Sequence, residues 1–190
     1  MKARFSVSDG EVSSVRQCVS PNCNERPAGQ PVSLLVLHNI SLPPGHFGGG
    51  YVELFFQNQL PVAEHAYFEE ISHLQVSAHL FISREGLVTQ FVNLNARAWH
   101  AGLSSFEGCD NCNDFSIGIE MEGTDELPYT DKQYETLVQL TYAIEQAYPD
   151  IKRNRIVGHC DIAPGRKTDP GPAFEWSRFL AALNKVSEDC

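Results

Sequence analysis

The stretch SLLVLH at residues 33–38 is a short apolar run in which polar residues do not alternate with apolar ones. Such a run is typical of a strand that is buried on both faces of a sheet. It ends at His38 and is followed by NISLPPGHFGGGY at residues 39–51, where two prolines and four glycines predict a long loop. We therefore expect a central strand that places His38 at an edge of the sheet, beside a mobile flap formed by the glycine-rich loop.

Other apolar segments predict the remaining strands of this sheet. FSIGIEME at residues 115–122 and RIVGH at residues 155–159 are expected to be buried strands. The segment AHLFISREGLVTQFV at residues 78–92 contains two β-rich runs on either side of REG at residues 84–86, and it predicts a hairpin.

Helical patterns lie between these strands. Residues 51–74 look helical in pieces. The clearest helix begins at Thr130, because Thr130 and Gln133 match a capping box and apolar residues follow at helical spacing. A last helix is expected from near Pro172 to about Asn184.

The interspersed strands and helices predict an α/β or α+β fold, with a mixed central β-sheet flanked by helices in a single domain. A length of 190 residues fits one domain with a sizeable core. Residues 1–30 are polar and rich in Ser, Asn, Pro and Gly, and they predict an irregular N-terminal segment packed on the core. Residues 31–184 are expected to form the domain and residues 185–190 a tail.

The chain is acidic, with 14 Lys and Arg against 24 Asp and Glu and a formal net charge of −10. This balance argues against general binding of nucleic acid or of an anionic membrane, because both require a basic face. The first residues contain no apolar segment typical of a secretory signal, and no stretch approaches the roughly 18 apolar residues of a membrane span. We therefore expect a cytoplasmic protein, monomeric and without nucleic-acid or membrane partners.

Six cysteines in a chain of this kind are expected to be reduced thiols rather than a disulfide framework. An alternative is a structural zinc site that combines the pair at 109 and 112 with the pair at 18 and 23. Free thiols on loops are favoured because the spacing of the second pair is loose. The cysteines are Cys18, Cys23, Cys109, Cys112, Cys160 and Cys190.

Three potential metal ligands lie where predicted strands meet loops. His38 ends one strand, His159 ends another, and Asp169 follows ten residues after His159 in a loop rich in Pro and Gly. If the two strands are neighbours, both imidazoles lie at one edge of the sheet and the loop brings the carboxylate to them. Two His and one carboxylate form a known catalytic zinc set, with a fourth position for water or substrate. The spacing alone leaves open the alternative that each histidine is structural.

Several segments closely resemble the AmpD-type 1,6-anhydro-N-acetylmuramyl-L-alanine amidases, which have the amidase/peptidoglycan-recognition fold. The resemblance extends from about Cys18 to Phe179. It implies that residues 31–184 are a zinc amidase domain with one zinc ion per chain and an anhydro-muropeptide substrate. The matching segments are LLVLHNISLPPG, VSAHLFI, AWHAG, CNDFSIGIEMEGTD, YTDKQY and GHCDIAPGRKTDPG.

The resemblance also implies roles for individual residues. His38, His159 and Asp169 match the zinc ligands of the family. Glu120 matches the carboxylate that orients the attacking water and moves protons, and the alternative is a Glu that only accepts hydrogen bonds from a loop. Lys167 matches the cation that faces the scissile carbonyl and stabilises the oxyanion, and the alternative is a solvated loop lysine.

Four further residues are expected in the substrate-binding part of the site. Asn39 is expected to hydrogen-bond the peptide and Trp99 to stack on the anhydro-sugar, unless Trp99 belongs to the core. Arg166 is a further candidate there, and His100 either supports a metal ligand or bonds a backbone carbonyl. The other histidines are interpreted as structural or surface residues: His46, His65, His73 and His79.

One departure from the family concerns the peptide end of the pocket. Some members carry arginines where this chain has Gln75 and Asn111. This difference argues against tight recognition of the stem-peptide carboxylates, unless Arg84 or Arg97 replaces the missing arginines. The metal chemistry does not depend on these positions.

The resemblance therefore implies a zinc-dependent hydrolase for cytoplasmic cell-wall recycling. It would cleave the amide between 1,6-anhydro-N-acetylmuramic acid and the L-alanine of the stem peptide. The alternatives are an amidase of the same fold that acts on polymeric peptidoglycan, and a non-catalytic peptidoglycan-recognition module. The complete set of three ligand positions disfavours the second of these.

Overall fold

A six-stranded sheet forms the centre of the protein in the computed structural model, which describes residues 4–188. Residues 1–3 and 189–190, including Cys190, lie outside the described residues. The strands of the described part are β1 Val7–Ser8, β2 Glu11–Val12, β3 Arg16–Gln17, β4 Cys23–Asn24, β5 Leu34–Ile40, β6 Leu80–Ile82, β7 Val88–Gln90, β8 Arg97–Ala98, β9 Ser105–Phe106, β10 Cys109–Asp110, β11 Ser116–Glu122 and β12 Ile156–Gly158.

The central sheet has the order β12-β5-β11-β6-β7-β3. All of its neighbouring pairs are parallel except the predicted hairpin of β6 and β7, which is antiparallel. The prediction of a mixed central sheet is thus confirmed. Three small antiparallel ribbons lie outside it, formed by β1 with β2, β4 with β8, and β9 with β10.

Helices cover the sheet. Those of the described residues are α1 Tyr51–Phe56, α2 Ala66–Ile71, α3 Asp131–Ala147, α4 His159–Ile162 and α5 Trp176–Glu188, with 3-10 helices at Val62–Glu64, Cys112–Asp114 and Arg153–Arg155. The predicted capping box is present, because Thr130 Oγ1 accepts from Gln133 N and Gln133 Oε1 accepts from Thr130 N, both at 3.1 Å. None of the helices within residues 4–188 is long and apolar enough to cross a membrane.

Alternation along the two central strands separates the core from the candidate site. Leu35 and Leu37 of β5, with Ile117 and Ile119 of β11, share one apolar core with α3 and α5. Side chains alternate between the two faces of a strand. His38 and Glu120 therefore lie on the face opposite α3, the face on which Leu34 and Val36 of β5 belong to a second apolar cluster.

The N-terminal segment and the last helix differ in part from expectation. The expected irregular segment at residues 1–30 contains β1 to β4, and β3 extends the central sheet by pairing with β7. Helix α5 begins at Trp176 rather than near Pro172, because Phe174 turns into the core and Ala173 N donates to Asp125 O. It continues past Asn184, so residues 185–188 of the expected tail are helical.

Candidate metal centre

Three donor atoms converge at one point on the edge of the sheet. His38 Nδ1 and His159 Nδ1 lie 3.0 Å apart, and Asp169 Oδ2 lies 3.1 Å from the first and 3.0 Å from the second. Both imidazoles are buried and the carboxylate is nearly so. Within residues 4–188 these three form a group of His, Cys, Asp or Glu residues that could hold a metal ion, whereas the cysteines form none.

The topology of the sheet explains this convergence. β5 and β12 are adjacent and parallel, with Leu37 opposite Gly158, so the residues that follow these two lie side by side. His159 is the first residue of α4 rather than the last residue of a strand as predicted, because the chain turns after Gly158. The loop that carries Asp169 returns to this point, where Cys160 N donates to Asp169 O at 3.0 Å.

The protonation states of the group suit metal binding. Burial lowers the pKa of His38 to about 4, which leaves the imidazole neutral at pH 7. Burial opposes ionisation of Asp169, but hydrogen bonds from His159 and His38 outweigh it and hold the pKa of this carboxyl well below its usual value. Metal ions bind neutral imidazole and ionised carboxylate, so the residues present fit a divalent cation.

Glu120 lies beside this group without a hydrogen-bond partner on one oxygen. It pairs in register with His38 across β11 and β5. Its Oε2 is a buried atom that accepts no hydrogen bond from the described residues. Burial raises the pKa of Glu120 well above its ordinary value, with a further rise from Asp169 and an opposing effect of Lys167. A buried carboxyl of this kind suits a group that exchanges protons with a reactant.

A cleft of about 580 Å³ opens onto the three donor atoms and Glu120. Lys167, which is exposed, lines the same cleft. This volume is within the range of sites that hold small organic ligands. One wall of the cleft is aromatic and apolar: Phe55, Phe56, Tyr67, Ile71, Leu74 and Trp99.

The expected substrate-binding residues all line this cleft, but each also makes a contact within the protein. Asn39 Nδ2 donates to Asp125 Oδ1 at 2.7 Å. Asp125 also lines the cleft, although the sequence analysis did not identify it. Trp99 Nε1 donates to Asn24 Oδ1 at 2.8 Å. The guanidinium of Arg166 donates to backbone carbonyls at residues 101 and 103.

His100 contacts His38, one of the three candidate ligands, rather than a backbone carbonyl. Its Nδ1 lies 2.9 Å from His38 Nε2, and its Nε2 lies 3.0 Å from Ser116 Oγ. Burial lowers the pKa of His100 well below its usual value, and the neighbouring His38 adds to this effect. The ring rests on Gly118, where an added Cβ would lie 2.6 Å from His100 Cγ.

The remaining histidines do not join the group. His79 is buried, and its Nδ1 accepts from Gly118 N at 3.0 Å, which is a structural role. The other three are exposed: His46, His65 and His73. The glycine-rich loop is tied to the core through Gly48 N, which donates to Glu122 Oε1 at 2.6 Å.

The positions where the chain departs from the family lie outside the cleft lining. Gln75 is exposed, and Asn111 bonds Asp114 and Arg97. Arg97 is also paired with Asp114 at 2.5 Å, and Arg84 donates to the carbonyl of residue 128. Neither arginine lines the cleft, so the structure does not support them as replacements.

Comparison with known proteins gives consistent matches over nearly the whole chain. Residues 28–172 match the family model described as N-acetylmuramoyl-L-alanine amidase. The 1,6-anhydro-N-acetylmuramyl-L-alanine amidase AmpD of Haemophilus influenzae is 54% identical over 177 residues, 93% of this chain and 96% of the relative.

Two solved structures are similar as well. One is a selenomethionine derivative of AmpD, with a TM-score of 0.91, 51% identity, and coverage of 93% of this chain and 98% of that chain. The other is the Escherichia coli amidase AmiD in complex with anhydro-N-acetylmuramic acid-L-Ala-D-gamma-Glu-L-Lys, with a TM-score of 0.60, 25% identity, and coverage of 94% and 65%.

Proposed function

Because this chain belongs to the N-acetylmuramoyl-L-alanine amidase family, we propose that it hydrolyses anhydro-muropeptides in a zinc-dependent reaction. The bond cleaved is the amide between 1,6-anhydro-N-acetylmuramic acid and the L-alanine of the stem peptide. The observation that carries the proposal is the convergence of His38 Nδ1, His159 Nδ1 and Asp169 Oδ2 beside the unpartnered carboxyl of Glu120. The name of the relative with 54% identity supports the substrate.

The residues present fit zinc in the number and kind of their donors. Two imidazole nitrogens and one carboxylate oxygen would hold a zinc ion and leave room on it for water or substrate, and the ion would lower the pKa of a bound water to about 7 and polarise a carbonyl. The three donor atoms lie 3.0 to 3.1 Å apart, close enough for all of them to contact one ion. The ligands would be His38, His159 and Asp169.

Glu120 is the residue placed to move protons. Water adds to the scissile carbonyl carbon and gives one proton to the Glu120 carboxylate, while the carbonyl electron pair moves onto oxygen. The carbon–nitrogen bond then breaks, and the nitrogen of L-alanine takes the proton from Glu120. General acid–base catalysis of this kind contributes about 10²–10⁴ to the rate.

Lys167 supplies charge where the oxyanion develops. It lies two residues before Asp169 and lines the same cleft, so its ammonium group is available to the carbonyl oxygen. A positioned donor of this kind is worth about 10²–10³ in kcat. The aromatic wall that includes Trp99 would receive the anhydro-sugar, and Asn39 with Arg166 would face the peptide.

We propose that the reaction belongs to cytoplasmic cell-wall recycling, because the relative's name specifies a 1,6-anhydro sugar, in which the internal bridge occupies C1 and prevents the glycan chain from continuing there. A monomer is sufficient, since all of the proposed residues come from one chain. The acidic net charge of −10 agrees with a role that does not involve nucleic acid.

One experiment separates this function from its alternatives. Purified protein, with and without a chelator, is incubated with anhydro-muropeptides and with whole sacculi, and released peptide is measured by chromatography. We expect chelator-sensitive release from anhydro-muropeptides. Release from neither substrate contradicts an enzyme and favours a recognition module, and preference for sacculi contradicts recycling.

A further inference from the structure

Residues 100 and 101 contact both proposed histidine ligands at Nε2, the ring nitrogen that faces away from the three converging donor atoms. His38 Nε2 lies 2.9 Å from His100 Nδ1, and His159 Nε2 lies 3.1 Å from the carbonyl oxygen of Ala101. On the opposite edge of each ring, Nδ1 of His38 and of His159 lies at the metal position. The segment formed by residues 100 and 101 therefore sets the far side of both rings.

These contacts determine which ring nitrogens carry protons. A nitrogen that binds a metal offers a lone pair, so Nε2 of His38 and of His159 carries the proton. His38 then donates to His100 Nδ1, and the proton of neutral His100 lies on Nε2, which donates to Ser116 Oγ. These two hydrogen bonds, each donated away from the proposed metal position, thus connect His38 to Ser116 at the start of β11.

One side chain, Asn113, holds both N–H groups of this segment, while Arg166 donates to the carbonyl of Ala101. Asn113 Oδ1 accepts from His100 N at 3.0 Å and from Ala101 N at 2.8 Å. Asn113 is buried, with 6% of its surface exposed, and lies in the 3-10 helix that precedes β11. Because a backbone N–H can only donate, the orientation of the carboxamide is determined by these two bonds.

We propose that Asn113 is a positioning residue for the metal site, which orients both histidine ligands by fixing the backbone of His100 and Ala101. The proposal rests on the metal site proposed above. Outer contacts of metal-binding histidines set ring direction and ligand strength, and their loss typically weakens metal binding by about 10- to 100-fold. Asn113 differs from such a contact because it acts on two ligands through one loop.

The test compares variants of the full chain. Asn113→Leu removes the acceptor at similar volume, whereas Asn113→Asp keeps an oxygen at the same place. Gln90→Leu is a matched control, because Gln90 is also a buried carboxamide whose Oε1 accepts a backbone N–H, from Val12 at 2.9 Å. Zinc affinity is measured by competition with a chromophoric chelator, and two-bond ¹H–¹⁵N spectra of the zinc-loaded protein report the ring protons.

We expect Asn113→Leu to bind zinc at least about 10-fold more weakly, with faster water exchange of the Nε2 protons of both ligands. Asn113→Asp and Gln90→Leu should stay near the wild type in both measurements. An affinity in Asn113→Leu that falls no further than in Gln90→Leu overturns the proposal. A proton on Nδ1 of His100 in the zinc-loaded wild type also overturns it.

A second variant covers the case in which Asn113→Leu does not fold. Ser116→Ala removes the acceptor for His100 Nε2, the last in the series that starts at His38, and leaves the contact between His159 and Ala101 intact. We expect altered ring signals of His38 and His100 with unchanged signals of His159, and signals that are all unchanged contradict the arrangement. Failure of the proposed function has a different signature, because the wild type would then bind no zinc or cleave no muropeptide.

Discussion

The substitution Gly118→Ala tests the packing of His100 on the sheet. Gly118 lies in β11 beneath this ring, and an added Cβ would lie 2.6 Å from Cγ and Nδ1 of His100 and 2.9 Å from Cδ2. Carbon atoms in good contact are about 3.5 Å apart, so the ring would have to move by about 0.9 Å. That movement breaks or lengthens its bonds to His38 at 2.9 Å and to Ser116 at 3.0 Å.

The magnitude follows from two terms. Overpacking of a core costs about 1–3 kcal/mol, and a lost neutral hydrogen bond costs about 1 kcal/mol more. We therefore expect the free energy of unfolding to fall by about 2–4 kcal/mol. For a domain of this length each kcal/mol lowers the melting temperature by about 2–4 °C, so the expected shift is about 4–16 °C.

The assay is thermal unfolding of the metal-free protein followed by circular dichroism, in a double-mutant cycle with His100→Ala. Removal of the ring opens the space above Gly118, so Gly118→Ala should then cost no more than about 0.5 kcal/mol. An equal loss in both backgrounds refutes the clash with His100. A melting temperature of Gly118→Ala equal to that of the wild type refutes it as well.

Four further outcomes are expected. His38→Ala should abolish zinc retention measured by mass spectrometry, whereas Lys167→Ala should keep zinc and lower kcat by about 10²–10³; equal zinc in the wild type and His38→Ala would refute the ligand assignment. Glu120→Gln should lower kcat by about 10²–10⁴. Burial raises the pKa of Glu120, so the protonated side chain favours the folded state at low pH, and this contribution is lost as pH rises above the pKa of Glu in the unfolded chain. Metal-free Glu120→Gln should therefore melt at a higher temperature than the metal-free wild type at pH 8. A lower melting temperature of the variant there would contradict the burial argument. Burial lowers the pKa of His79 to about 3, so the stability that depends on its neutral form is present above pH 6.5 and declines as pH falls towards 3, and melting curves of His79→Gln should show a weaker decline between pH 6.5 and 4. Thr130→Ala should lower the urea midpoint by the equivalent of about 1 kcal/mol and leave zinc affinity unchanged, and an altered zinc affinity would show that the cap reaches the site.

The main strands were predictable because they follow from short apolar runs, whereas the pattern left the roles of His38, His159 and Asp169 open and the family resemblance favoured metal binding. SLLVLH predicted the central strand correctly, but β5 continues to Ile40, so His38 lies two residues before its end rather than at it. The family resemblance identified Glu120, but its position opposite His38 depends on the register of two strands separated by 75 residues in the chain. No local pattern specifies such a register.

Other features depend on contacts that no local signal reports. Asn113 supports the site by bonding the backbone of residues 100 and 101, and Gly118 supports it because it has no side chain where the ring of His100 lies. Neither residue type suggests metal chemistry. Asn39 was expected to face the peptide, but its partner Asp125 is 86 residues away. Phe174 turns into the core and delays the start of α5, although the proline at 172 suggested an earlier start.

The N-terminal segment has a consequence for the order in which the chain folds during synthesis. Arg26 donates to backbone carbonyls of Leu94, Asn113, Asp114 and Ser116, up to 90 residues further along the chain. Its segment is synthesised before β11, so the bonds to Asn113, Asp114 and Ser116 cannot form until that part of the chain has been made, and contacts of such long sequence separation form late. The docking of this segment on β11, the strand that carries Glu120, is therefore expected to be among the last steps of folding.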